Sequence, residues 1–261
     1  MIIAEIGSVH DGSVGSALKL IDLATECKAD CIKFQYHISS EETLKNAPNP
    51  YYFKDESRYD YFNRIEFKEN QWKQIIRRCK KKKIEFMCSV FSEKSLANLI
   101  KLGVTNIKIP SGELTNIFLL KKLNKYKKLN LFISTGMSSW HDIDRALGLI
   151  KSKKITLMQC TSIYPCPSDS VGVNVISEMK IKYPKIYRFG FSDHTQGNEA
   201  SILAMSVGAT VFEKHLTYSK KMYGSDAKFA MEPHEFKNYV EGLKKTQKIL
   251  KSPVNKNNTR L

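Results

Sequence analysis

Two lysines stand inside segments that otherwise have the pattern of buried strands, Lys33 in Cys-Ile-Lys-Phe-Gln and Lys108 in Asn-Ile-Lys-Ile-Pro. An ammonium group that points into a protein interior without an anionic partner is costly, so each lysine needs a negative charge nearby. Hydroxyl groups at the ends of other apolar segments would add directed hydrogen-bond donors; these are Ser89, Ser111, Ser134 and Ser192. Any one of these serines alone could be an ordinary turn or capping residue. Together with the lysines they predict a site for a phosphate or a carboxylate.

Two histidines also end neighbouring predicted strands. His194 follows Phe-Ser-Asp, and His215 follows Phe-Glu-Lys. Their imidazoles could converge on one divalent cation, with water or substrate oxygens completing its coordination. Two histidines alone are a weak signal, and ordinary hydrogen-bonding histidines are the alternative. A metal site at this position is therefore a hypothesis.

Carboxylates occur near the same strand ends and could act as general bases, bind sugar hydroxyls or orient other side chains. The candidates are Glu5, Glu113, Asp193, Glu213 and Asp226. Each of them could equally be the ion-pair partner of Lys33, Lys108 or Lys214, and one carboxylate could fill both roles.

These side chains must be positioned by eight short β-branched segments that alternate with segments of helical period. The predicted strands are Ile2–Ile6, Cys31–Gln35, Glu85–Ser89, Asn106–Ile109, Leu131–Ser134, Ile155–Gln159, Tyr187–Phe191 and Thr210–Glu213. The predicted helices are one between Ala17 and Cys27, then Glu69–Lys82, Ser92–Leu102, Ile117–Tyr126, Trp140–Lys151, Val175–Tyr183, Glu199–Val207 and Glu235–Leu250. Eight such units in about 250 residues predict an α/β fold, the TIM (β/α)8 barrel, whose chemistry lies at the C-terminal ends of the strands.

A doubly wound open sheet is the structural alternative. It usually has fewer strands, and no Gly-x-Gly-x-x-Gly motif follows the first predicted strand. We expect one barrel domain over residues 1–250 and a polar tail over residues 251–261. The connection from Tyr36 to Lys68 is long and rich in aromatic residues. It predicts either a lid that faces the substrate or a segment packed against the barrel wall or a partner subunit.

Composition excludes several classes of protein. Hydrophobic residues make up 42% of the 261 residues, so a disordered chain is excluded. No apolar run approaches the roughly 20 residues that span a bilayer. The N-terminus lacks an export signal, so we expect a cytoplasmic protein whose six cysteines are reduced.

The 42 Lys and Arg residues exceed the 26 Asp and Glu residues by 16. This charge could serve nucleic acid, an anionic membrane or a small anionic substrate, or it could be a solvated surface. The basic run from Arg77 to Lys83 closes a predicted helix, where cations favour the negative end of the helix dipole. His141 lies at a predicted helix start and is expected at the surface. His234 belongs to the first turn of the last predicted helix and lies too late in the chain to end a strand. A non-catalytic basic barrel that binds nucleic acid or a protein partner remains an alternative.

Seven short segments stand in a fixed order along the chain. They are Ile3–Gly7 with His10 and Gly12, Ile32–Gln35, Lys108–Glu113, Ser134–Met137, Cys160–Pro165, Phe191–Thr195 and Gly208–His215. In this order they resemble the motifs of the sialic acid synthase (N-acetylneuraminate synthase) family, whose members condense phosphoenolpyruvate. The resemblance covers nearly the whole chain.

The resemblance implies a metal-dependent barrel enzyme that joins phosphoenolpyruvate to an N-acetylmannosamine-like sugar, giving a sialic-acid-type nonulosonate and phosphate. It implies that phosphoenolpyruvate is held by Lys33, Ser89, Lys108, Ser111, Ser134, Ser162 and Ser192. The sugar would be held by Gln35, Glu113, Tyr164 and Asp226. The catalytic carboxylates would be Glu5 and Glu213, with Glu5 preferred for proton handling. The ligands of the divalent cation, Mn²⁺ or Mg²⁺, would be His194 and His215.

Three segments depart from the family pattern. Val9 stands where family members commonly have asparagine, and Gln159 stands where they have histidine. The family's Ser-Thr-Pro-Phe motif is replaced by Cys-Ser-Val-Phe at Cys88–Phe91. Typical members continue into a small antifreeze-like domain that supplies an arginine to the partner subunit's sugar site. A barrel through residue 250 leaves no room for it. We therefore expect a truncated sequence, a sugar site completed by the Tyr-rich loop in the 50s, or a separate capping protein.

The resemblance also implies a homodimer, small-molecule substrates, and no binding of nucleic acid or membrane. A related synthase of 3-deoxy-heptulosonate or 3-deoxy-octulosonate phosphate is the alternative within the same class of enzymes. Such an enzyme would act on a phosphorylated aldose rather than on an N-acetylated amino sugar.

Overall fold

A computed structural model of the chain describes residues 1–49, 56–152 and 154–254. Its eight strands are β1 (Ile2–Gly7), β2 (Cys31–Tyr36), β3 (Glu85–Val90), β4 (Asn106–Ile109), β5 (Asn130–Ser134), β6 (Ile155–Cys160), β7 (Arg188–Asp193) and β8 (Val211–His215). Each strand pairs in parallel with the next, and β8 pairs with β1, so the sheet closes on itself. The prediction of a TIM barrel is confirmed, and the open-sheet alternative is wrong.

Ten α-helices surround the barrel over the described residues. They are α1 (Val14–Glu26), α2 (Ser39–Glu42), α3 (Arg58–Ile65), α4 (Glu69–Lys82), α5 (Glu93–Lys101), α6 (Ile117–Leu123), α7 (Trp140–Leu149), α8 (Asn174–Lys182), α9 (Glu199–Ser206) and α10 (Pro233–Leu250). Gly103 and Gly208 follow α5 and α9 with φ of +79° and +107°, the left-handed conformation that lets a helix turn directly into the next strand. The helix α6 ends at Leu123, three residues before the predicted end, because Asn124 caps it and a turn follows.

The barrel interior has two layers, and the strand period of two residues sets them apart. The lower layer is apolar and consists of Ile3, Cys31, Met87, Phe132, Met158 and Val211. Two residues further along five of these strands, the inward positions are polar: Glu5, Lys33, Ser89, Ser134 and Glu213. A dry floor therefore lies directly beneath a layer of charges and hydroxyls, toward the C-terminal ends of the strands.

The long connection from Tyr36 to Lys68 includes two helices. It contains α2 and α3, and α3 buries Tyr61 and Ile65. The guanidinium of Arg64 lies 2.7 Å from Asp11 and 2.8 Å from Glu56, which ties α3 to the turn after β1. Residues 50–55, including most of the predicted Tyr-rich loop, lie outside the described residues. A lid function for this connection stays a prediction.

The structure also bears on expectations about membrane spans, surface charge and cysteines. In the ranges that the structure covers, no helix is both long and apolar enough to cross a membrane. The basic run closes α4, where Arg78 and Lys82 pair with Asp22 of α1. His141 is exposed, as expected, and His234 is exposed as well; all six cysteines are free and buried. The division into residues 1–250 and 251–261 stays a prediction.

Candidate active site

Glu213 on β8 lies between the two lysines that the sequence places inside the barrel. Its carboxylate is 2.9 Å from Nζ of Lys108 and 3.7 Å from Nζ of Lys33. Ser192 donates a hydrogen bond to the same carboxylate at 3.0 Å. Burial acts to raise the pKa of Glu213, but the two ammonium groups outweigh it and hold the pKa at about 2. Glu213 is thus an ionised anchor that aligns both lysines.

Glu5 on β1 is the second carboxylate of this buried layer. It lies 3.0 Å from Nζ of Lys33, and the side-chain amide of Gln35 donates to it at 2.8 Å. Burial is the strongest influence and raises the pKa of Glu5 to about 7, against the lowering effect of Lys33 and with a further rise caused by Glu213. A carboxyl group with this pKa can take up or release a proton near neutral pH.

The two lysines give the layer its affinity for anions. Burial lowers the pKa of Lys108, whereas for Lys33 the carboxylates of Glu213 and Glu5 outweigh burial and raise the pKa. When Glu5 is protonated, two ammonium groups face the single negative charge of Glu213. The site then has an unbalanced positive charge that an anionic substrate would neutralise.

Hydroxyl groups form a cradle beside the lysines, at the ends of β3, β4, β5 and β6. Ser89 accepts a hydrogen bond from Lys33 at 2.8 Å, and Ser111 accepts one from the backbone N–H of Gly136 at 3.1 Å. A Cβ atom on Gly136 would lie 2.8 Å from Oγ of Ser111 and still closer to Oγ of Ser162. Oγ of Ser134 is buried and has no hydrogen-bond partner among the described residues. Buried hydroxyls are normally paired, so this one fits a group that a ligand brings.

His194 and His215 stand together at the ends of β7 and β8, with ring centroids 5.9 Å apart. Nδ1 of His194 donates to the carbonyl of Thr161 at 2.7 Å, which leaves the lone pair of Nε2 for a ligand. Nδ1 of His215 is buried without a partner among the described residues, and burial lowers the pKa of this histidine to about 4. Burial acts to lower the pKa of His194, but its contacts with Cys160 and with the carbonyl of Thr161 outweigh burial and raise it. In their neutral forms the two imidazoles would offer lone pairs to a divalent cation.

The protein supplies only part of a coordination shell at this position. The described residues contain no group of three or more His, Cys, Asp or Glu side chains that could hold a metal ion. A cation held by the two histidines would therefore take its remaining ligands from water or substrate oxygens, as the sequence predicts.

Tyr164 and Asp226 lie near the histidines. The ring of Tyr164 lies 4.0 Å from that of His194, between ring centroids and at a tilt of 34°, and is partly exposed. Asp226 accepts hydrogen bonds from the backbone N–H and the hydroxyl of Ser8, at 2.8 and 2.9 Å. The close approach requires glycine at position 7, whose φ is +54° and whose Cβ would collide with the Asp226 carboxylate.

Glu113 lies at the rim of the predicted site. It belongs to a short 3-10 helix, Ser111–Glu113, and accepts a hydrogen bond from Asn116 at 2.7 Å. Burial raises its pKa above the ordinary value. Glu113 is not part of the network of ion pairs that joins Glu5, Lys33, Glu213 and Lys108. Its contact with the sugar stays a prediction.

Sequence reasoning missed His37 and Glu42. Nε2 of His37 lies 2.9 Å from the side-chain amide oxygen of Gln35, and Nδ1 lies 2.7 Å from the carboxylate of Glu42. Its ring lies between those of Phe62 and Phe91, at 4.0 and 4.1 Å. The strand period offered a signal, because Lys33, Gln35 and His37 are each two residues apart.

Two departures from the family pattern lie outside this polar layer. Gln159 points out of the barrel, where its side-chain amide donates to the carbonyl of Val171 at 3.2 Å. Val9 is fully buried in the outer core. The third departure leaves Ser89 in place, with its hydrogen bond to Lys33.

Comparisons with known proteins agree with these observations. The chain is 35% identical to the N,N'-diacetyllegionaminic acid synthase of Campylobacter jejuni, over 98% of this chain and 79% of that protein. It is 32% identical to the human N-acetylneuraminate-9-phosphate synthase, over 97% of this chain and 72% of that one. The crystal structure of an N-acetylneuraminic acid synthetase from Leptospira borgpetersenii, in complex with citrate, is similar with a TM-score of 0.84 and 31% identity, covering 97% and 85% of the two chains. The profile of the NeuB family matches residues 20–255, and the chain belongs to that family.

Proposed function

We propose that this protein condenses phosphoenolpyruvate with an N-acetylated amino sugar, giving a sialic-acid-type nonulosonate and phosphate. The observation that carries the proposal is the pair of buried lysines aligned on Glu213 beside a cradle of hydroxyls. Phosphoenolpyruvate has a phosphate and a carboxylate, and this layer offers cations and directed donors to both. Two relatives are named as synthases of N-acetylated acidic sugars, which supports the same class of product.

Lys33, Lys108 and the serines bind phosphoenolpyruvate in this proposal. The seven residues are Lys33, Ser89, Lys108, Ser111, Ser134, Ser162 and Ser192. The backbone N–H of Gly136 already donates to Ser111, so the cradle is organised before a ligand enters. Groups fixed in advance lose little entropy when the substrate binds.

The reaction forms a bond from C3 of phosphoenolpyruvate to the aldehyde carbon of the open-chain sugar. Water then adds at C2, and phosphate leaves as the keto acid forms. Glu5, with its pKa near 7, is positioned to handle the proton of the water or of the new hydroxyl. Lys33 and Lys108 stabilise the negative charge of the departing phosphate, and the apolar layer beneath them limits the entry of water.

Gln35, Glu113, Tyr164 and Asp226 are proposed to bind the sugar. His194 and His215 would hold a divalent cation, Mn²⁺ or Mg²⁺, which when bound would polarise the aldehyde. The chain's own part is to keep His215 neutral through burial and to orient the ring of His194 through its bond to Thr161. A homodimer, a cytoplasmic location and a separate capping domain stay predictions.

Phosphate release from phosphoenolpyruvate tests the proposal. The panel contains N-acetylmannosamine, its phosphate ester, a diacetamido hexose and simple aldose phosphates, each with and without Mn²⁺. We expect release with at least one N-acetylated amino sugar and its loss in Lys108→Met, whereas Lys128→Met on the surface keeps it. Turnover of aldose phosphates alone would favour the 3-deoxy-ulosonate phosphate synthase. Polynucleotide binding without turnover would favour the non-catalytic barrel.

A further inference from the structure

His37 faces two oxygen acceptors, one on each side of its ring. Nε2 lies 2.9 Å from Oε1 of Gln35, and Nδ1 lies 2.7 Å from Oε2 of Glu42. A carbonyl oxygen only accepts hydrogen bonds, and so does an ionised carboxylate. Nε2 therefore donates to the amide oxygen of Gln35, and one proton lies between Nδ1 and the carboxyl group of Glu42. The ring is also held between the rings of Phe62 and Phe91.

Glu42 is held as firmly as the histidine. Its second oxygen accepts the backbone N–H of Ile38 at 2.7 Å, and its side chain is 7% exposed. Both oxygens of Glu42 are thus used inside the turn that leaves β2. His37 and Glu42 thus form a fixed, buried, hydrogen-bonded pair, and these bonds leave the ring little freedom to rotate.

This hydrogen-bonded pair favours one of the two orientations of the Gln35 side-chain amide. With its oxygen bound to His37, the amide turns its nitrogen toward Glu5 and donates to Oε1 of that residue at 2.8 Å. When Glu5 is ionised, the flipped amide would place its carbonyl oxygen against the Glu5 carboxylate, where two acceptors repel each other. It would also turn N–H groups toward the N–H of His37.

We propose that His37 and Glu42 are positioning residues that fix the amide of Gln35 and, through it, the sugar site beside Glu5. Gln35 then presents its remaining N–H as a donor to an oxygen of the sugar, and Glu5 stays aligned with Lys33. This inference rests on the proposed function, because Gln35 is a sugar-binding residue in that proposal. Neither residue touches the substrate in this account.

The test combines His37→Phe with Glu42→Gln, so that a ring remains between Phe62 and Phe91 and no carboxylate is left without a partner. We expect the KM for the sugar to rise about tenfold or more, as for the loss of a charged hydrogen bond, while the KM for phosphoenolpyruvate and the Tm change little. His141→Phe on the surface is the control. A general structural defect would alter both KM values together.

A double-mutant cycle with Gln35→Ala separates positioning from any other role. If His37 acts through Gln35, the variant of His37 and Glu42 adds no further loss in the Gln35→Ala background. The same loss in both backgrounds, or an unchanged KM for the sugar, would overturn the inference while the proposed function stands. Absence of turnover in the wild type on every sugar would instead contradict the proposed function.

The protonation of His37 is measurable without turnover. In protein labelled with ¹⁵N-histidine, we expect the His37 signal, assigned by its disappearance in the variant of His37 and Glu42, to show a proton on Nε2. A His37 ring without a proton on Nε2 would overturn the inference, whatever the enzyme does with its substrates.

Discussion

Glu5 and Glu213 share one ammonium group, since Nζ of Lys33 lies 3.0 Å from the first carboxylate and 3.7 Å from the second. Glu213 has Lys108 as a further cation, at 2.9 Å, whereas among the described residues the further side-chain partner of Glu5 is only the amide of Gln35. This asymmetry separates their pKa values, to about 7 for Glu5 and about 2 for Glu213. Neighbouring carboxylates with separated pKa values divide the roles of proton carrier and fixed charge.

The first prediction concerns stability against pH. The pKa of Glu5 rises from 4.5 to about 7 on folding, so its protonation favours the folded state. Its contribution to the free energy of unfolding is fully present below pH 4.5 and is lost as the pH rises through about 7. Denaturant unfolding across this range should therefore show wild type losing stability relative to Glu5→Gln as the pH rises.

The contribution of Glu213 to stability changes with pH in the opposite direction from that of Glu5. Its pKa falls from 4.5 to about 2 on folding, so its contribution is present above pH 4.5 and is lost as the pH falls through about 2. Glu213→Gln should thus be less stable than wild type at neutral pH and approach it in acid. Parallel curves for wild type and Glu5→Gln would contradict the assignment of the proton to Glu5.

Gly136→Ala should damage phosphoenolpyruvate binding more than folding. The new methyl group would lie 2.8 Å from Oγ of Ser111 and would displace the hydroxyl cradle. We expect the KM for phosphoenolpyruvate to rise about tenfold or more, with a loss of about 1–3 kcal/mol in stability. Steady-state kinetics and thermal unfolding measure the two effects.

Gly148→Ala is the matched control for this substitution. Gly148 lies in α7, where an added Cβ would meet no atom within 4 Å. We expect unchanged kinetics and a gain of about 0.5–1 kcal/mol, because alanine favours helix more than glycine does. Equal kinetics for Gly136→Ala and wild type would exclude the cradle as a binding site.

Asp193 and Lys214 form a buried ion pair on the outer side of the barrel wall. Each residue directly precedes one of the two histidines, so its side chain points out of the barrel where the strand continues. Their charged groups lie 3.1 Å apart, and Ser201 also donates to Asp193. Asp193→Ala leaves a buried ammonium group without its partner and should cost about 3–5 kcal/mol of stability in denaturant unfolding. Asp193→Leu combined with Lys214→Met should recover part of that loss. A loss under about 1 kcal/mol for Asp193→Ala would show that the pair is not needed.

His215→Ala should abolish the dependence of activity on a divalent cation and leave the fold intact. The substitution removes the buried Nδ1 that has no partner among the described residues. Titration with Mn²⁺, followed by electron paramagnetic resonance, should show weakened binding relative to wild type. His234→Ala, at an exposed position of α10, should bind the ion normally. Unchanged Mn²⁺ affinity in His215→Ala would remove the metal assignment.

Short sequence patterns predict those features of the fold that depend on residues close together in the chain. The alternation that places Lys33 two residues after Cys31, and Glu213 two residues after Val211, is a property of a strand and can be read from the sequence. Capping by Gly103 after α5 is local in the same way. These features predicted the barrel and the residues of its polar layer.

Other features depend on packing between distant segments. The stack of His37 between Phe62 and Phe91 requires α3 to fold back over β2, which no short pattern indicates. The division of roles between Glu5 and Glu213 depends on how many ammonium groups reach each carboxylate. Hydrophobic period and spacing do not determine such contacts, so the sequence named both carboxylates without separating their pKa values.

The mass of the product tests the central claim most directly. Purified protein is incubated with phosphoenolpyruvate, Mn²⁺ and either N-acetylmannosamine or a diacetamido hexose, and the mixture is analysed by mass spectrometry. The account predicts a new acid whose mass equals that of the sugar plus phosphoenolpyruvate and water, less phosphoric acid, formed only when both substrates are present. Phosphate release without that acid, or no reaction and no phosphoenolpyruvate binding, would contradict it.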